Sequence, residues 1–400
     1  MVAHASTRPA ASQWGGALVL LIAGLTAASA AVNGLGRFAY ALVLPSMRAD
    51  LHWSYATAGL LNTVNAAGYL TGALLAAPVA ARLGHRRALL AALVVSALAV
   101  LAASVSGLVP VLLILRLTSG IAGAIAFIAG GALTAALTAD LPPRRAVLCL
   151  GLYFTGPGAG IVVSAVAIPP LVSAYGWRLG WVTLGALCLA GLVLTAAAVR
   201  RLPADPVARD RPKRRSAPLR PLVSVLVTYA IYGAGYTAYM TFVIAFLTAA
   251  SGGSVITLFW LVLGGCGVAS SIVWTPLLQR LPGQVIAAIL LGGTTAGAAL
   301  LVLVPGPVAW FGSAVLFGGS FLTVVTAITG CAQQMLPPDR WAAAIAALTI
   351  AFAIGQCVGP VLAGTLSDRV GGVPAGLAIG AALLGVSTLT VLTHRRPART

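Results

Sequence analysis

Arg37 stands alone in an apolar run that begins at Ala17 and continues to Leu44. A helix of about 20 such residues crosses a bilayer, and an arginine at mid-membrane costs roughly 2.5 to 3.5 kcal/mol on insertion scales, so it normally faces a partner or a cavity. Asn33, Arg37 and Tyr40 follow i, i+4, i+7 spacing and are expected to share one helix face. Asn62, Asn65 and Tyr69 form a similar polar stripe, and Tyr229, Tyr232, Tyr236 and Tyr239 another. A second embedded cation, Arg116, lies six residues past Pro110, about 9 Å into its own run. The structural alternatives are snorkelling of Arg37 towards the surface and ordinary interhelical hydrogen bonding by the amides and phenols.

The counter-charge is missing. The chain has no glutamate, its six aspartates (Asp50, Asp140, Asp205, Asp210, Asp339, Asp368) fall in loops or at span ends, and its four histidines lie outside the spans. A guanidinium is a bidentate donor for carboxylate or phosphate, so the negative charge is expected to arrive with a small organic anion. Arg37 is the anchor of that expectation and Arg116 the helper, with Asn33, Tyr40, Asn65, Tyr69, Tyr232 and Tyr236 shaping the pocket. A coupling proton would travel on the substrate's own carboxyl group, or one anion would exchange for another. The rival is an exporter of neutral or amphiphilic compounds in which both arginines are structural. Proton-coupled export of such compounds generally uses an embedded carboxylate, which weakens that rival. An enzyme is not expected, because no loop gathers paired carboxylates with a histidine beyond Asp50 and His52. No cofactor or metal motif appears either.

The elements that must hold these residues follow from composition. Hydrophobic residues make up 60% and charged residues 8% of the chain, against roughly 25% charged in soluble domains. The pattern predicts an all-α membrane protein with spans at 15 to 44, 55 to 81, 88 to 106, 109 to 138, 146 to 172, 179 to 199, 221 to 249, 255 to 278, 284 to 304, 308 to 335, 341 to 366 and 374 to 393. Trp14, Trp53, Trp177, Trp181, Trp310 and Trp341 fall near those edges, where headgroup anchoring is expected. A retained first helix competes with a cleaved signal peptide ending near Ala28-Ser29-Ala30; the repeat described next favours retention. The charge of +18 marks orientation rather than nucleic-acid binding. With the N-terminus inside, 19 of the 24 basic residues fall in inner segments and only Arg48, Arg178 and Arg369 in outer loops. Both termini are therefore expected in the cytoplasm. The five cysteines, all within spans and without CxxC spacing, read as small buried hydrophobes.

Residues 200 to 220 form the long polar segment that separates a six-helix unit at 1–199 from a second at 221–400. Landmarks recur between the units, as a duplicated transporter scaffold would leave them. Gly34, Gly36, Ala39 and Tyr40 match Gly233, Gly235, Ala238 and Tyr239 at an offset of 199, which also pairs Arg37 with Tyr236. Pro78 and Arg82 match Pro276 and Arg280, Leu141-Pro142-Pro143 matches Leu336-Pro337-Pro338, and Gly156-Pro157 matches Gly359-Pro360.

This organisation resembles the major facilitator superfamily over essentially the whole chain, and the run GRFAYALVLPSMRADL is similar to its bacterial YbfB/YjiJ-like branch. The resemblance implies two pseudo-symmetric bundles, alternating access and a bacterial cytoplasmic membrane. Arg82, Gly84 and Arg86 stand in the loop where the superfamily carries a conformational latch, although its first glycine and its aspartate are Ala77 and Ala81 here. Arg116-x-x-x-Gly120 looks like the fourth-helix motif, whose position would put both arginines on one wall of the central cavity. Gly156, Pro157 and Gly160 look like a degenerate fifth-helix motif. Gly68/Gly72, Gly156/Gly160 and Gly355/Gly359 are expected at the sliding seam between bundles. Gly364-x-x-x-Asp368-Arg369-x-Gly371 imitates the loop motif at an outer position and is expected to be a turn.

Overall fold

The computed structural model describes residues 11–200, 202, 220–337 and 340–393. The linker expected over 200 to 220 lies outside them except for Arg200, Leu202 and Arg220, and Asp205, Asp210 and Asp339 also fall outside. Among the described residues, twelve helices are long and apolar enough to cross a membrane. The first crossing is compound: α1 (Ala11–Ser29), a π-helical stretch (Ala30–Phe38) and α2 (Tyr40–Asp50). There follow α3 (Tyr55–Leu83), α4 (His85–Ala102), α5 (Val109–Leu137), α6 (Pro143–Tyr175) and α7 (Trp177–Val199). The second series is α8 (Val223–Ala250), α9 (Gly253–Val273) continued by the short α10 (Thr275–Arg280), α11 (Gly283–Leu303), α12 (Pro307–Met335), α13 (Trp341–Arg369) and α14 (Val373–Leu392).

The π-helical stretch changes the reading of the first crossing. Its wide turn closes with the Ala39 amide donating to the Gly34 carbonyl at 2.9 Å, one residue further back than in an α-helix. Gly34 lies so close to Gly160 and Pro157 of α6 that a Cβ would collide with their backbone, which ties the wide turn to a fixed wall. Across this π-helical stretch Arg37 and Tyr40 turn to different partners, Arg37 to Gln356 and Tyr40 to Ala58 and Trp181, so the two do not share the stripe that 3.6-residue spacing predicts. Pro45 is inside α2 rather than at the edge of the span, and the helix runs on to Asp50. Arg37 thus sits near the middle of the crossing.

Packing sorts the helices into two sets. In the first, α3 lies along α5, α5 along α4, and α7 beside α1 and α4; in the second, α8 lies along α13 and α14, and α11 along α12 and α14. The sets meet chiefly through α3 against α13 and α6 against α9. The bonds at this seam gather towards the end that carries the turn between Asp50 and Tyr55, here called the far end; the linker marks the other. Gly59 abuts the Pro360 carbonyl and Gly364 the Tyr55 carbonyl, Thr63 donates to the Cys357 carbonyl at 2.7 Å, and the Trp260 indole donates to Ser164 at 3.1 Å.

Several expectations need correcting. Gly68 and Gly72 pack on α5, Gly156 and Gly160 on the first crossing, and Gly355 and Gly359 on α8. All three pairs therefore tighten contacts inside one set; the seam uses Gly59, Gly158, Gly264 and Gly364 instead. The supposed turn at Gly364 to Arg369 is the last part of α13, and the Asp368 carboxylate accepts from the Tyr55 and Ala56 amides, both at 2.8 Å. It thereby satisfies, across the seam, the first two amides of α3, while the N-cap Ser54 accepts from Thr57. Trp177 and Trp181 are buried rather than at a headgroup surface: their indoles donate to Asp50 at 2.7 Å and to the Met47 sulfur at 3.1 Å. Gly84 links α3 to α4 with φ of 80°, a conformation that suits glycine. Arg86 donates to the Leu202 and Arg200 carbonyls at 2.8 and 3.1 Å, so it fastens α4 to the chain leaving α7. Arg82 is exposed.

Candidate functional site

The π-helical turn carries Arg37 to the seam. Its Nη2 donates to Oε1 of Gln356 on α13 at 2.8 Å, and Gln356 Nε2 donates to the Tyr236 hydroxyl on α8 at 2.8 Å. Three crossings are joined through one amide, which uses its acceptor towards the cation and a donor towards the phenol. The guanidinium carbon lies 4.8 Å from the Tyr69 ring centroid and 5.9 Å from that of Phe38, within cation–π range. Arg37 Nε and Nη1 make no hydrogen bond among the described residues, yet they are not sealed in: the enclosed, unpartnered side-chain atoms are Ser29 Oγ, Asn33 Nδ2, Arg48 Nε, Asn65 Oδ1 and Arg116 Nε. The cation has donors in reserve.

Arg116 is arranged differently. Its Nη1 donates to the Gly36 carbonyl at 2.8 Å and its Nη2 to Asn62 Oδ1 at 3.3 Å, while its guanidinium carbon lies 5.0 Å from the Tyr40 ring and 5.8 Å from that of Trp181. Tyr40 stacks on Trp181 and donates to the Ala58 carbonyl at 2.9 Å. Asn65 donates to the Arg116 carbonyl at 3.0 Å and to Ser119 at 3.1 Å. Arg116, Tyr40 and Asn65 thus brace the first set. Asn62 carries the chain onward by donating to Thr241 of α8 at 2.6 Å.

Of the sequence-predicted residues, Arg37, Tyr69 and Tyr236 come together at the seam. Tyr232 stacks on Tyr236 with centroids 5.4 Å apart, and its hydroxyl donates to the Phe321 carbonyl at 2.6 Å. Asn33 is buried on the same π-helical stretch with its amide nitrogen unpartnered. Sequence reasoning missed Gln356 and Phe352. Gln356 had a signal, since it is a lone amide in the middle of an apolar run; Phe352 had none. Neither resident aspartate at the seam or nearby serves Arg37: Asp368 caps α3, and Asp50 holds Trp177 and lies 3.6 Å from Arg178.

Residues 8–392 match the protein family described as "Uncharacterised MFS-type transporter YbfB". A "Chloramphenicol resistance protein" of Streptomyces lividans is 29% identical over 394 residues, covering 94% of this chain and 97% of that one. A crystal structure of a mutant of the nucleoside transporter NupG superposes with a TM-score of 0.77 at 14% identity, covering 94% of this chain and 100% of that one. A bacterial homologue of the human lysosomal transporter Spinster, in an inward-facing and unoccupied conformation, superposes with a TM-score of 0.68 at 16% identity, covering 96% and 99%. At those identities the solved structures speak to the fold alone.

Proposed function

This chain belongs to the YbfB family of MFS-type transporters and has the major facilitator fold, and from that premise we propose that it moves a small organic anion by alternating access. One observation carries the reading: a guanidinium at mid-crossing, on the seam, is held by a neutral amide of the opposite set. A charged acceptor makes stronger hydrogen bonds than a neutral one, so a substrate carboxylate is the natural competitor for Gln356. Rocking of the two sets about the seam would alternately bury and expose that contact. The coupling proton would enter on the substrate's carboxyl group, or a second anion would return. The excess of basic residues on linker-side segments supports cytoplasmic termini in a bacterial inner membrane.

The second reading is efflux of a neutral or amphiphilic compound, favoured by the name of the Streptomyces relative; Arg37 and Gln356 would then only clasp the two sets. Counterflow in proteoliposomes with labelled monocarboxylates, and separately with chloramphenicol, decides between them. Arg37→Ala is expected to lower carboxylate flux roughly a hundred-fold, or about 2.8 kcal/mol, with the protein still folded in detergent. Equal carboxylate flux in wild type and variant, or flux of chloramphenicol alone, would overturn the anion reading.

A further inference from the structure

The second set presents a layered aromatic face beside the arginine. Phe352 of α13 lies flat on Tyr229 at 4.4 Å and 9°, on Tyr236 at 5.5 Å and 9°, and on Tyr232 at 5.9 Å and 11°. The tyrosine rings are themselves nearly parallel, 3° between Tyr229 and Tyr232 and 18° between Tyr232 and Tyr236. Their rings are pinned from behind: the Tyr232 hydroxyl is held by the Phe321 carbonyl and that of Tyr236 by Gln356. Gly355 packs so closely on the Ala230 carbonyl that a Cβ would collide with it, which brings α13 and its Phe352 tightly against α8.

The three tyrosines are buried, whereas Phe352 is half-buried at mid-crossing, so of the four stacked rings it is the one that keeps exposed surface. Phe352 and Gln356 are four residues apart on α13, hence on one face and about 6 Å apart along the axis. Since α13 runs from the linker end to the far end, Phe352 lies on the linker side of Gln356. The bonds that close the seam gather on the other side. A flat apolar surface therefore lies one helical turn from the amide that holds Arg37, towards the less tightly joined end.

We propose that the transported anion is aromatic: an aryl carboxylate whose carboxylate takes the place of Gln356 on Arg37 and whose ring continues the stack on Phe352. This rests on the anion reading above and adds a requirement for planarity. Offset stacking of rings adds to the area term, and a saturated ring of similar size and charge cannot supply it.

The test compares benzoate with cyclohexanecarboxylate, binding to the purified full chain in nanodiscs being measured by calorimetry. Wild type is expected to prefer benzoate by about three- to ten-fold, the size of one aromatic contact. Phe352→Leu should bring that ratio to about one, and Phe352→Tyr should keep the preference. Arg37→Gln should weaken both acids together. Equal wild-type affinity for the two acids, with Arg37→Gln still weakening both, overturns the aromatic requirement and leaves the anion reading intact. Acids that bind equally well to wild type and Arg37→Gln, or that wild type does not bind at all, overturn both.

Discussion

Arg37 and Arg116 are the same side chain at similar depth, each without a carboxylate beside it, and their surroundings differ in one respect. Arg116 gives its hydrogen bonds to a backbone carbonyl and an amide of its own set and lies against Tyr40 and Trp181. Among the described residues, Arg37 gives its hydrogen bond to a side chain of the opposite set. A guanidinium fastened to its own scaffold's backbone cannot change partner without disturbing that scaffold. One held by a rotatable amide across a seam can exchange it for a ligand. An embedded cation is therefore not by itself a binding site; the ownership of its acceptor decides.

The largest effect on stability is expected of Arg116→Leu. Removing the guanidinium leaves the buried Gly36 carbonyl short of a donor, worth about 1 to 3 kcal/mol, takes one from the half-buried Asn62, and removes the packing against Tyr40 and Trp181. We expect a loss of roughly 3 kcal/mol in stability, seen as earlier thermal unfolding in detergent. The same substitution at Arg37 strands one acceptor, the buried Gln356 Oε1, instead of two, and is expected to cost about 1 to 3 kcal/mol, a smaller shift of the unfolding curve, while transport fails. Equal destabilisation at the two positions would show that both arginines are braces.

What could be read beforehand follows from which forces act locally. The crossings were legible because each apolar run must satisfy its own backbone in lipid, and the repeat offset matched Arg37 with Tyr236 before any contact was known. Gln356 was not legible as their bridge, because its place depends on how α13 docks across the seam, which one helix's periodicity does not encode. The stripe drawn through Asn33, Arg37 and Tyr40 does not hold for Arg37 and Tyr40, because it assumed 3.6 residues per turn where the chain forms a π-helix against Gly160. Asp368 was misread for the opposite reason: a motif-like spelling drew attention to the loop, while its carboxylate acts on the amides of a distant helix start.

Gln356→Glu sharpens the comparison chemically, by giving Arg37 the resident acid that the sequence lacks. The new carboxylate would pair with the guanidinium at the distance now held by the amide, 2.8 Å, and a substrate anion would have to displace a charge instead of a dipole. We expect carboxylate affinity to fall by about ten-fold or more, roughly 1.4 kcal/mol, with stability held or raised. Unchanged affinity in this variant would mean that substrate does not compete at Arg37.

The smallest effect is expected at the far end of the seam. Asp368 accepts from two amides at the start of α3, where a negative charge also favours the helix terminus by about 0.3 to 1 kcal/mol. Asp368→Asn keeps one acceptor oxygen and loses the charge, so the joined state should become less populated by about 1 kcal/mol, close to five-fold. Spin labels on Tyr175→Cys at the end of α6 and Gly253→Cys at the start of α9, both exposed, would report this as a larger long-distance fraction. Because the Arg37 bond crosses the seam and the Arg116 bonds to Gly36 and Asn62 do not, the same variant should raise the exchange of Arg37 between Gln356 and an added carboxylate while leaving the thermal stability conferred by Arg116 untouched. A distance distribution that stays the same would place the closing force elsewhere, in the α6–α9 contact and the Thr63 bond to Cys357, and the two arginines would then differ in partner but not in dependence on the state of the seam.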